Sequence, residues 1–93
     1  MVTVTRKAKR QLKEIADQRQ LDPGSFLRLA TPPVWTGEGD FGIVVDSRGV
    51  MDVDVKLDGR IILLIEQEVS EHLNAVLDFK GPPDAQRFAL DVF

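Results

Sequence analysis

The sequence predicts an α+β fold: one small domain with a mixed, mostly antiparallel β-sheet and two helices packed beside it. Three observations point there. Ala8, Leu12, Ile15 and Ala16 fall at i, i+4, i+7 and i+8, which is one apolar stripe of an amphipathic helix. Met51, Val53 and Val55 alternate with Asp52, Asp54 and Lys56, the period of a half-buried strand. Asp58-Gly59 follows, and it suits a type I′ hairpin turn because both central positions there need positive φ.

The remaining elements follow in order. Val2 and Val4 alternate with Thr3 and Thr5 as a short leading strand. Thr5 is placed to cap the first helix, its hydroxyl accepting a backbone N–H of the first turn. Arg6 and Lys7 sit in that turn, the wrong sign for the helix dipole. Asp22-Pro23-Gly24 is expected to end the helix, since proline cannot continue the ladder. Phe26 to Thr31 reads as a strand with Leu27 and Leu29 on one face and Arg28 on the other. Thr31 to Asp40, with two prolines and two glycines, is a loop. Phe41 to Asp46 is nearly all apolar and predicts a central strand buried on both faces. Ser47-Arg48-Gly49 turns the chain into the Met51–Lys56 strand, and Arg60 to Ile65 returns from the hairpin. Glu68 to Val76 is predicted helical, with Val69, His72, Leu73 and Val76 on one side. Leu77-Asp78-Phe79 is extended, Gly81-Pro82-Pro83-Asp84 is a turn, and Phe88, Leu90 and Val92 mark a last strand. The predicted order is β–α–β–β–β–β–α–β–β, in one domain spanning residues 1–93.

Composition narrows the function classes. Apolar residues make up 43% and charged residues 29%, enough to bury a core rather than remain disordered. The longest apolar run, Ile61 to Ile65, is far short of the ~20 residues that span a bilayer. Met1 to Arg10 lacks the apolar stretch of a secretory signal. No membrane association is therefore expected. There is no cysteine. That excludes a disulfide framework, a thiolate zinc site, a Cys nucleophile and a cysteine-ligated cluster within this chain. It also fits a reducing compartment, so a cytoplasmic location is expected. The edge strands of so small a sheet offer a route to a homodimer.

The net charge of −3 is unevenly spread. Residues 1–21 carry six basic and two acidic side chains, and the rest of the chain carries six basic and thirteen acidic. A basic helix on an acidic body suits an acidic protein partner, with Arg6 and Arg10 on its face. A solvated face that complements the body's own field is the simpler reading. Nucleic acid is disfavoured by the acidic pI, the lack of Tyr and the single Trp.

The loop from Pro32 to Asp40 is the leading candidate for function. Trp35 combines a large apolar ring with one N–H donor, the kind of residue that anchors interfaces. Pro32, Pro33 and Val34 beside it are apolar, so the loop tip presents a patch to a protein partner unless Trp35 folds back onto the sheet. Elsewhere the chemistry is thin. No phosphate-binding loop, dinucleotide fingerprint or nucleophile elbow is present. His72 with Glu66, Glu68 and Glu71 is the alternative: a hard-metal site or an unrecognised enzyme. A solvated helix face explains those residues more simply. Asp52, Asp54 and Asp58 read as residues that keep a hairpin edge soluble.

These motifs taken together resemble a known family. Val2-Thr3-Val4-Thr5 ahead of a basic, Ala-containing helix is similar to the opening of the HesB/IscA proteins, the A-type iron–sulfur carriers. Phe26-Leu27-Arg28-Leu29 resembles that family's "GLRL" strand, and Asp52 to Ile65 resembles its Asp-Gly hairpin. Glu66 to Phe79, with Leu73-Asn74 and Leu77-Asp78-Phe79, resembles its short helix and the "LDG…LDY" segment. Gln86-Arg87-Phe88-Ala89-Leu90 resembles its closing "GFxF" strand. The resemblance runs through almost the whole chain and implies a HesB-like fold. The family's functional residues are three cysteines, one after the second strand and two in a C-terminal tail. Trp35-Thr36-Gly37 stands at the first place, and the chain ends at Phe93 before the second. The resemblance thus implies a cysteine-free branch: an accessory or scaffold protein of iron–sulfur biogenesis, with no cofactor, no metal site and no catalytic residue carried over.

Overall fold

The computed structural model describes residues 1–93, with nine elements in the predicted order. They are β1 (Val2–Val4), α1 (Arg6–Arg19), β2 (Ser25–Ala30), β3 (Gly42–Ser47), β4 (Asp52–Leu57), β5 (Arg60–Glu66), α2 (Gln67–His72), β6 (Ala75–Lys80) and β7 (Arg87–Val92). The strands form two sheets rather than the single sheet expected. One has the order β1-β6-β7 and the other β3-β2-β5-β4. The β1–β6 and β2–β5 pairings are parallel, and the other three are antiparallel. Both sheets are therefore mixed.

Helix α1 joins them. Thr5 is extended, and its hydroxyl accepts the Ala8 N–H at 3.2 Å. One N–H that the first turn leaves without an intrahelical partner is thereby satisfied. Ala8, Leu12 and Ala16 are buried, with Ile15 partly so. They pack with Val2, Val4 and Leu77 of one sheet and Leu27, Leu29, Leu63 and Ile65 of the other. The helix ends earlier than expected. Gln20 takes a left-handed conformation (φ 49°) and closes it, so Asp22-Pro23-Gly24 forms the turn into β2 instead.

Three further expectations are corrected. The apolar run of β3 forms an edge strand, not a central one, and Val45 is 45% exposed. The central pair is β2 and β5, and Ile62 to Ile65 of β5 are all buried. The predicted second helix is cut to Gln67–His72. Ala75 and Val76 join β6 instead, because they pair with Val2 and Thr3 of β1 and with Val92 and Asp91 of β7. On β4 the acidic residues are not a purely solvent-facing row. Val53 is exposed, Asp52 and Asp54 are half-buried, and a register shift falls between Val55 and Lys56. The Asp58-Gly59 turn has positive φ at both residues (53° and 81°), as a type I′ turn requires.

Candidate functional site

The loop after β2 is built around Trp35. Its backbone N–H donates to the Thr31 carbonyl at 2.9 Å, and its Nε1–H to the Glu38 carbonyl at 3.3 Å. The ring lies against Gly37 and Gly42, where a Cβ on either glycine would collide with it. Trp35 is thus folded back and half-buried, while its neighbour Val34 is 76% exposed. The large apolar side chain that this loop exposes is Val34, and Trp35 fixes the loop beneath it.

Val34 faces a groove of about 750 Å³ between the loop, α2 and the edge strand β7. Leu29, Val69, Leu73, Leu90 and Val92 supply its other apolar walls. The apolar side chains arrive for separate reasons. Val69 of α2 and Leu73, the extended residue that ends it, pack against the core, and Leu29 comes from central β2. Leu90 and Val92 stand opposite Leu77 and Ala75, on the core-facing side of the small sheet. No further strand covers β7, so Val92 remains 64% exposed and Phe93 79% exposed. Asp40, Glu66, Glu68 and His72 complete the lining. Glu71 lies outside it and accepts a hydrogen bond from Gln67 Nε2 at 2.7 Å.

Arg28 also reaches the groove and anchors its base. Its Nη1 and Nη2 donate to Asp52 Oδ1 and Oδ2 at 2.6 and 2.5 Å, and Nη2 also donates to the Ser47 carbonyl at 3.0 Å. Asp52 accepts a third hydrogen bond from Gly49 N–H at 2.5 Å, and its side chain is 4% exposed. Asp46 Oδ2 lies 3.3 Å from Arg28 Nε, off the hydrogen-bond direction. The Arg28 hydrogen bonds, then the Gly49 N–H, hold the Asp52 carboxyl below its ordinary pKa, and the same pairing raises that of Arg28. Asp52 is therefore one half of an ion pair beneath a central strand rather than a solubilising edge residue.

Arg6 and Arg10 occupy a different place. They are exposed on α1 and, with Lys13, border a shallow depression against Leu57 and Asp58 of the hairpin. That depression shares no residue with the groove at Val34. The structure does not bring the two sets of candidate partner residues together. Sequence reasoning missed Leu90, Val92 and Val69 as site residues. Each reads as core, and the exposure of β7 depends on strand order.

The cysteine-bearing relatives that the sequence resembles carry iron–sulfur clusters. Iron–sulfur clusters take thiolate ligands. The groove offers carboxylates and one imidazole, and no group of three or more His, Asp or Glu side chains is arranged to hold a metal ion. These residues do not fit a cluster.

No family model matches the chain, and no curated protein matches it in sequence. Among solved structures, the crystal structure of Escherichia coli SufA, a protein involved in the biosynthesis of iron–sulfur clusters, aligns with a TM-score of 0.63. The alignment covers 98% of this chain and 84% of that one, at 22% identity. The fold is shared.

Proposed function

We propose that this chain is an accessory or scaffold protein of iron–sulfur biogenesis that binds a protein partner and does not itself ligate a cluster. One observation carries the reading: a SufA-like fold over 98% of the chain, with no thiol anywhere in it. The groove supports it. It lies between the loop and the end of β7, the two places where the resemblance puts the family's cysteines, and apolar side chains line it instead. The reading is non-enzymatic, with a hard-metal or enzyme role for His72 and the carboxylates near it as the alternative. Val34, held by Trp35, is one partner face, and Arg6 with Arg10 is the other. Anaerobic reconstitution with iron and sulfide, followed by absorbance and by iron and sulfide assays, tests it. The expected result is no stable cluster. A stoichiometric cluster on the chain would overturn the reading.

A further inference from the structure

The groove at Val34 has an apolar floor and an uncompensated acidic rim. Asp40, Glu66 and Glu68 line it, and none of them takes part in an ion pair. The one cation that reaches the groove, Arg28, is committed to Asp46 and Asp52. Alongside runs β7, an edge strand with a free row of backbone donors and acceptors. Val92 on its groove side and Val34 across the gap are exposed, and Leu90 beside them on the strand is half-buried.

We propose that this groove receives an extended segment of a partner protein, with apolar residues at its centre and Lys or Arg at its flanks, laid along β7. This inference rests on the reading of the chain as a binding module. The apolar centre covers Leu90, Val92 and Val34, while the backbone of the segment pairs with the strand edge. The flanking cations meet Asp40, Glu66 and Glu68, and this charge match selects among segments of equal hydrophobicity. An acidic segment would be repelled there. A second copy of this chain is a poor occupant, because its basic element is α1, whose apolar stripe is already spent on its own core.

The test uses the full chain and two capped heptapeptides, Lys-Lys-Val-Leu-Val-Lys-Lys and the same peptide with Glu for Lys. Binding is followed by calorimetry and by the emission of Trp35, the single tryptophan. The Lys peptide is expected to bind at least roughly tenfold more tightly than the Glu peptide. Replacing Val34 and Val92 together with Ser should cost about tenfold in affinity for it. Reversing the rim with Asp40→Lys and Glu68→Lys should invert the preference. Lys56→Glu, which alters net charge at an exposed position on β4 outside the groove, should change Lys-peptide affinity by less than about twofold. The assignment is overturned by equal affinity for both peptides, by no binding of the Lys peptide at about 1 mM, or by a preference that survives rim reversal. The wild-type peptide comparison decides the matter even if a variant fails to fold. A chain that takes up a cluster on reconstitution overturns the functional reading. A cluster-free chain that binds both peptides alike overturns the groove assignment alone.

Discussion

The ring of Trp35 fills the space in which a side chain at Gly42 would stand. The first residue of β3 therefore secures the loop in front of it. Gly42→Ala should push the ring toward water, shift its emission to longer wavelength, and cost about 1–3 kcal/mol by overpacking. Fluorescence and urea unfolding on the same sample check this. An unchanged emission maximum with full stability would show that the ring does not depend on that glycine.

The ion pair under β2 gives a pH signature. Asp52 is held below its ordinary value of 3.8, first by Arg28 and then by the Gly49 N–H. The folded chain thus releases that proton more readily than the unfolded one, so the contribution of Asp52 is complete above 3.8. It is lost as pH falls through the lowered value. Asp52→Asn should cost about 1–3 kcal/mol at neutral pH by weakening the hydrogen bonds to a mostly buried guanidinium. The gap between wild type and variant should close in acid, as urea midpoints across that range will record. A gap that stays constant with pH would assign the loss to packing instead.

Thr5 serves two elements at once. Its hydroxyl accepts from Ala8 N–H at the start of α1 and donates to Asp78 Oδ1 on β6 at 2.7 Å. Thr5→Ala should destabilise the fold by about 1 kcal/mol through loss of the cap. The Asp78 carboxyl, held down chiefly by that hydroxyl and then by Phe79 N–H, should also titrate closer to its ordinary value. Thr5→Ser should restore both, and side-chain carboxyl NMR distinguishes the outcomes.

Leu12 is fully buried where α1 meets both sheets. Leu12→Ala should cost about 2–5 kcal/mol, with part of that due to the cavity left behind. Chemical denaturation measures it, and a loss below that range would mean the surrounding side chains close the gap.

The first turn of α1 contains no acidic residue and begins with Arg6-Lys7. Arg6→Glu should raise stability by about 0.3–1 kcal/mol by complementing the helix dipole. If the melting temperature rises while capture of an acidic partner falls, the arginine is kept for binding. If neither changes, the face is solvated surface.

The order of elements was legible because its signals are local: the 3.6-residue stripe of Ala8, Leu12 and Ala16, the Thr5 cap, and the Asp58-Gly59 turn. Strand order was not. Ile43, Val44 and Val45 look as apolar as Ile62 to Leu64, yet β3 lies at an edge and β5 at the centre. Pairing partners decide that, and they are remote in the chain. Tertiary pairing likewise overrode the helical spacing of Val76, which the strands on either side of β6 claim. Of the candidate site, the loop was visible and the groove was not. Its walls come from four separate segments, and each apolar wall residue outside the loop is ordinary core by pattern. Arg28 and Asp52 gave no signal either, being an alternating polar residue on β2 and another on β4.

The small sheet has a consequence for synthesis. Val2 and Val4 have no strand to lie beside until Ala75 to Leu77 exist, and the Thr5 N–H waits for the Leu77 carbonyl. A ribosome must therefore reach β6 before the leading strand can settle. The β4–β5 hairpin, joined by a two-residue turn, is free to close early. During that interval two valines and the inner stripe of α1 stand uncovered, so the nascent chain is most exposed to misassociation at β1 and α1, and the late arrival of β6 ends the hazard.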